Sequence, residues 1–435
     1  MIRTVDFRGR VLTKGGYRSE LPRADLDVSE AMKLIAPILE RVRTGNEETL
    51  IELAKEFDGV EPMQLRIPAL IISQALSSLD PKIRQALEIS IERIRTVHEN
   101  QSKDGAITSV VDGGRVSEKW IPVDRVGLYV PGGKAVYPSS VMMNVIPAQI
   151  AGVPSIAVAS PPQKNFDGLP HPTILATCAL LGIDEVYAIG GAQAVALFAY
   201  GMENICEKVD MVTGPGNIYV AAAKRALRGI VGIDSEAGPT EIAILADESA
   251  IASEVAADLI SQAEHDTIAA AILVTSSEIL ADQVALELKS RVARTKHHER
   301  IAMALSGVQS AIVLVDSMEQ GTDVINAYAP EHLEIQTKIP GDVSARIRNA
   351  GAVFLGRFSP VSLGDYSAGS NHVLPTGGCA CHSSGLSVHT FLKSVHFIEY
   401  DEKAFIDIAP TVITLAHSED LPAHGEAMTI RLENL

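Results

Sequence analysis

Apolar residues in the first hundred positions recur at helical intervals, and the spacing predicts helices over 28–43, 46–57 and from 81 onward. Pro37 falls inside the first of these and predicts a bend. Asp80-Pro81 joins an N-cap residue to a proline at the first helical position. The helix it opens carries Ile83, Leu87, Ile91 and Ile94 along one side. Residues 1–25 carry no such period and predict an irregular arm. Two β-like runs, 107–111 and 115–121, flank Asp112-Gly113-Gly114 and predict a hairpin. From 126 the pattern changes to short apolar runs at 126–130, 155–159, 185–189, 209–212 and 230–233, with helical patterns at 139–150, 172–181, 191–200 and 217–228 between them. A second series follows, with strands at 241–245, 270–275, 311–315, 333–337 and 352–355. Strand alternating with helix is the mark of a parallel sheet covered on both faces. The expected class is α/β: two successive, incomplete Rossmann-like units, an N-terminal helical arm and a small, mostly helical C-terminal tail. The expected division is an arm at 1–25, a first α/β domain from 26–125 and 240–385 carrying the metal and catalytic residues, a second from 126–239 for the cofactor, and a tail domain at 386–435.

Composition narrows the class. A chain of 435 residues with 46% hydrophobic and 21% charged positions is ordinary for a globular enzyme. Its formal net charge of −17 argues against nucleic acid or an anionic membrane as a general partner. The N-terminus lacks the apolar core of a secretory leader, and Pro, Gly, Asn or Gln interrupt the most apolar stretches, so neither a signal peptide nor a membrane span is expected. Cys178, Cys206, Cys379 and Cys381 form no disulfide framework, which fits a reducing cytoplasm. A thiol role for the Cys379-x-Cys381 pair lacks the second pair that a metal site would need.

No GxGxxG follows the first strand of either unit, so the usual dinucleotide fingerprint is missing. Three other glycine turns follow strands instead: Pro131-Gly132-Gly133, Gly190-Gly191-Ala192-Gln193 and Gly214-Pro215-Gly216-Asn217. Two lead into helices and could offer N–H groups to a phosphate. Each is also what a tight strand-to-helix turn needs for steric reasons alone. In the helical stretch around 251–267, Gln262 and His265 stand three apart on one face, with Asp258 a turn earlier. That spacing suits a metal or polar ligand, or simply a hydrated helix end. Glu331-His332 before a strand, Asp365 and His372 seven apart in a loop, and Glu419 with His424 in the tail complete the dense polar chemistry. A metal-dependent hydrolase and a non-catalytic binding protein are both compatible with these residues alone.

Taken together, the stretches GLYVPGG (127–133), YPSSVMMN (137–144), IGGAQAVA (189–196), GPGN (214–217), AGPTE (237–241), SQAEHD (261–266), PEHLEI (330–335), SLGDYSAGSNHVLPTGG (362–378) and EDLPAH (419–424) resemble the histidinol dehydrogenases, in order and almost end to end. The resemblance implies oxidation of L-histidinol to L-histidine through the aldehyde, with two NAD in succession, as the last step of histidine biosynthesis. It implies a homodimer with one zinc per active site, held by Gln262, His265, Asp365 and His424. It implies Glu331 and His332 as the catalytic pair. Substrate contacts would come from Thr240, Gln262, His265, His332, Asp365, Glu419 and His424, and NAD contacts from Tyr129, Gln193 and Asn217. The tail, with Glu419 and His424, would reach into the partner's site. Thr240 stands where many members carry serine, which keeps the hydroxyl.

The residues make chemical sense of that reaction. An alcohol must lose its hydroxyl proton as hydride leaves, and a neutral imidazole, His332, is the natural base near neutrality. The aldehyde must be hydrated before a second hydride can go, and Glu331 can activate that water. Neighbouring residues in an extended segment point apart, so the pair requires a bend at the strand entrance.

Overall fold

The computed structural model describes residues 2–24, 28–102, 104–132, 135–235 and 238–435. It divides into two compact units: residues 1–101 with 124–391, and residues 102–123 with 392–435.

The first unit holds two parallel sheets. The five-stranded one runs Val186–Ala188, Ser155–Ser160, Arg125–Tyr129, Met211–Thr213, Gly232–Ile233. The six-stranded one runs Arg3–Asp6, Ala311–Leu314, Ala270–Thr275, Glu241–Ala246, His332–Gln336, Ala352–Leu355. Numbered along the chain from Arg125 and from Glu241, the strands of both sheets lie in the order third, second, first, fourth, fifth. The two sheets therefore share the doubly wound topology, and each has a switch point between its first and fourth strands.

Strand periodicity explains the layers of the six-stranded sheet. Ile242 and Ile244 face one side, packing with Leu273 and Ile312 under Val255, Leu259, Leu280 and Val284 of the covering helices. Ala243 and Leu245 face the other, with Val274, Val313 and Leu333 under Val324, Ile325 and Tyr17. Each fully buried Leu or Ile of this kind contributes roughly 1.5–3 kcal/mol of transfer free energy.

Two expectations differ from what is observed. Residues 1–25 are not wholly irregular: Arg3–Asp6 adds an edge strand to the six-stranded sheet, and Lys14–Glu20 is a helix. The helices Val28–Thr44 and Glu47–Phe57, grouped by sequence with 240–385, pack instead on the five-stranded sheet. Ala31, Ile35, Leu39, Val42, Leu50 and Leu53 meet Tyr129, Ala157, Ala159 and Tyr187 there. Helical period marks a buried face but not which sheet buries it. Pro37 lies inside the helix Val28–Thr44.

The second unit contains the expected hairpin, Ile107–Val111 and Gly114–Pro122, turning at Gly113 with φ 82°. Its long strand pairs antiparallel with Leu392–Tyr400. The tail is thus not simply helical, although the helices Glu402–Ser418 and Pro422–Glu433 do follow.

Candidate active site at the strand entrances

A buried polar cluster lies at the amino ends of strands Glu241–Ala246 and His332–Gln336, the first and fourth of their sheet. Open α/β sheets ordinarily bind ligands at the carboxyl ends. Here the residues just before two neighbouring strands converge instead: Thr240 and Glu241 on one side, Glu331 and His332 on the other.

Glu331 and His332 do address one point. Ala329 takes a left-handed conformation with φ 53°, so the chain bends at the strand entrance as the chemistry requires. His332 Nδ1 lies 3.5 Å from Glu331 Oε2. That oxygen accepts from Thr240 Oγ1 at 2.6 Å and from the Glu241 N–H at 2.9 Å. Burial pushes the Glu331 carboxyl up to about 7, against the pull of His332 and these two donors. His332 Nδ1 is 3.2 Å from the Glu241 carbonyl. A carbonyl only accepts, so the proton sits on Nδ1 and Nε2 carries the lone pair. Nε2 is buried without a hydrogen-bond partner among the described residues and lies 3.9 Å from Asp365 Oδ1.

Gln262 closes the cluster. It is 1% exposed near the end of helix Ala252–Ala263, and its Nε2 donates to Thr240 Oγ1. A relay of donors therefore runs from Gln262 through Thr240 to Glu331. With its nitrogen so engaged, the carboxamide oxygen is the atom left to meet a cation. Burial lowers the affinity of His265 for a proton, while Asp365 opposes this, so the imidazole is held neutral, the form a metal needs. Among the described residues, no three His, Cys, Asp or Glu side chains converge closely enough to hold an ion by themselves. Zinc would have to use the Gln262 oxygen with His265 and Asp365. An amide oxygen, an imidazole and a carboxylate are ligand types that zinc accepts. Glu419, which ends helix Glu402–Ser418, and His424 in helix Pro422–Glu433 belong to the second unit.

Three residues without a predicted role support this cluster. His372 turns Nδ1 to the Asp365 carbonyl at 3.1 Å and Nε2 to Ser140 Oγ at 3.3 Å, which fixes the loop behind Asp365. Its position seven residues after Asp365 was the only signal. Asp258, one turn before Gln262, is hydrogen-bonded to Glu334 of the His332 strand. Glu334 also accepts the Val361 N–H at 2.8 Å, at the start of the helix that carries Asp365. Burial pushes Glu334 up to about 8, with the charge of Asp258 adding to it, and burial pushes Asp258 up to about 6. Both values exceed the roughly 4 of an unfolded carboxyl, so this pair stabilises the fold fully below that pH and loses its contribution as pH rises through 6 and 8. Glu334→Gln keeps an acceptor for Val361 and removes one titrating acid. Thermal denaturation should show a shallower fall in Tm between pH 6 and 8 than in the wild type; parallel slopes would contradict this.

The glycine turns lie at the opposite, carboxyl edge of the five-stranded sheet. Tyr129 is buried at the end of its strand, and its hydroxyl accepts the Gly191 N–H at 3.1 Å. Gln193 Nε2 is 3.5 Å from Asp58 Oδ2. Asn217 caps its own helix, accepting from the Tyr219 and Val220 N–H groups. The 214–217 turn is locked by Lys224, 1% exposed, which donates to the Gly214 carbonyl at 3.0 Å and pairs with Asp234 at 2.5 Å. Gly214 is obligatory, since φ is 118° and a Cβ would collide with the Tyr129 carbonyl. N–H groups expected to offer themselves to a phosphate are thus already engaged by Tyr129 and Asn217. Gly133 and Ala237 lie outside the described residues.

Cys178 and Cys206 are buried, Cys379 and Cys381 half-buried, and none forms a disulfide. No helix among the described residues is long and apolar enough to cross a membrane.

Comparison with known proteins identifies the family. The family model described as histidinol dehydrogenase matches residues 21–432. The histidinol dehydrogenase of Thermobifida fusca is 62% identical over 432 residues, covering 99% of this chain and 98% of that protein. That of Streptomyces avermitilis is 60% identical, again covering 99% and 98%. The crystal structure of histidinol dehydrogenase from Elizabethkingia anophelis superposes with a TM-score of 0.93 at 32% identity, covering 100% of this chain and 98% of that one. The dehydrogenase reading therefore stands over the hydrolase and binding-protein alternatives.

Proposed function

The chain belongs to the histidinol dehydrogenase family, NAD-dependent oxidoreductases of histidine biosynthesis, and on that premise we propose how its residues divide the oxidation of histidinol. His332 is the base in both oxidations. Its Nδ1–H is held by the Glu241 carbonyl, so Nε2 takes the hydroxyl proton as hydride leaves the carbinol carbon. The first step removes two electrons and two protons' worth of hydrogen, giving the aldehyde. Glu331 then accepts a proton as the oxygen of water adds to the aldehyde carbon, and the hydrate gives up a hydride together with a hydroxyl proton, taken by His332 Nε2, to form the carboxylic acid, which ionises to the carboxylate. Two hydrides leave in all, one to each of two NAD molecules. The observation that carries this reading is the His332 ring, whose Nε2 is buried without a hydrogen-bond partner among the described residues while its Nδ1 lies 3.5 Å from a Glu331 carboxyl poised near neutrality.

Gln262, His265, Asp365 and His424 would hold zinc, which supplies orientation for the substrate's imidazole and amine. Thr240, His332 and Glu419 complete the substrate contacts, and Tyr129, Gln193 and Asn217 line the cofactor's place. The assembly is a homodimer in which the second unit of one copy, bearing Glu419 and His424, completes the site of the other. The setting is cytoplasmic.

Metal removal tests the assignment. Enzyme stripped by a chelator should lose histidinol binding, measured calorimetrically, and keep NAD binding. Histidinol binding equal to that of the zinc-loaded enzyme would contradict the orienting role.

A further inference from the structure

Glu241 touches both members of the catalytic pair through its main chain. Its N–H donates to Glu331 Oε2 at 2.9 Å, and its carbonyl faces His332 Nδ1 at 3.2 Å. One peptide segment therefore sets where the Glu331 carboxylate sits and which nitrogen of His332 is basic. The position of that segment depends on the Glu241 side chain, which is 2% exposed and points away into its own set of partners. Its Oε1 accepts the Gly377 N–H at 2.7 Å and pairs with Arg23 Nη1 at 3.3 Å.

Arg23 is itself held in place. Its guanidinium lies 4.2 Å from the centre of the Tyr328 ring and donates to the Tyr328 carbonyl. Gly378, at φ 79°, makes room for it, since a Cβ there would stand 3.1 Å from Arg23 Nη1. Nearby, Arg18 Nε donates to the Ala327 carbonyl at 3.0 Å, fastening the same N-terminal segment to the turn that leads into Glu331. A neutral side chain would satisfy the Gly377 N–H equally well. What a carboxylate adds is a directional, charged link to a planar guanidinium. An ion pair with one buried partner contributes little net stability.

We propose that the Arg23–Glu241 pair is a positioning brace for catalysis: it fixes the Glu241 main chain, and through it both Glu331 and His332. Both act through the main chain of Glu241 and are positioning residues. The N-terminal segment is then a working part of the site. The inference rests on the assignment of Glu331 and His332 as the catalytic pair.

The test uses zinc-loaded, full-length enzyme carrying Glu241→Gln, Arg23→Lys or both. Each variant is assayed for kcat on histidinol and on the aldehyde, KM for histidinol, zinc per chain and Tm. A brace predicts that Glu241→Gln lowers kcat about 10-fold in both half-reactions, with KM and zinc content within about twofold. Arg23→Lys, which keeps charge but loses the fork, lowers kcat about threefold. The double variant falls no further than Glu241→Gln, because both changes break one link. Wild-type kcat in either single variant, or losses that multiply in the double variant, would overturn the brace, including the case where only Tm falls. Should Glu241→Gln fail to fold, Arg23→Lys alone decides between the two outcomes. Wild-type rates in Glu331→Gln and His332→Asn would remove the catalytic pair and the brace with it, a failure visible in separate variants.

Discussion

Glu331→Gln lowers the rate of aldehyde oxidation by about 10²–10⁴-fold, the usual contribution of a general base, and slows alcohol oxidation far less. The asymmetry follows from what each half-reaction asks of the carboxylate. Oxidation of the alcohol needs one proton removed, and His332 Nε2, buried and without a hydrogen-bond partner among the described residues, is placed for it. Oxidation of the aldehyde needs water to add first. Glu331, pushed up to about 7 by burial, exchanges a proton readily near neutrality. The glutamine keeps the acceptor for Thr240 Oγ1 and the Glu241 N–H, so the local geometry survives and the loss reports on proton transfer. Separate assays with histidinol and with the aldehyde as starting substrate measure it. Equal losses in the two assays would remove the hydration role.

His332→Asn slows both half-reactions by about 10²–10⁴-fold. An asparagine amide can still donate to the Glu241 carbonyl, as Nδ1 does at 3.2 Å, but it offers no basic nitrogen near neutrality. Histidinol affinity should change much less than kcat if zinc and the other contacts carry binding. A variant that loses the first oxidation alone, or that loses only affinity, would contradict a base shared by both steps.

Much of the fold was legible in the chain. The central strands of both sheets are apolar runs bounded by polar residues or glycine, and a strand buried on both faces has to look like that. Helix 81–99 announced itself through Asp80-Pro81 and one apolar stripe, and Asp80 does cap it. Pairing between distant segments was not legible. Arg3–Asp6 joins Ala311–Leu314, and Leu392–Tyr400 joins Gly114–Pro122; both edge strands have short or mixed patterns that acquire meaning only beside their partners. The site divides in the same way. Glu331, His332, Gln262, His265 and Asp365 stand in dense polar motifs, and the structure gathers them in the first unit. Glu241 escaped notice because its work is done by main-chain atoms, which every residue has. Arg23 stood in a stretch without period. Asp58 contributes through burial and a single hydrogen bond, which leaves no spacing to read, and His372 offered only its place seven residues after Asp365.

The central claim is a two-step oxidation at one site, and counting tests it most directly. Purified enzyme is given L-histidinol and excess NAD, and reduced cofactor is measured against histidine formed. The arrangement of Glu331 beside His332 predicts two reduced cofactors per histidine, without accumulation of aldehyde. One reduced cofactor per substrate consumed, with free aldehyde building up, would contradict it.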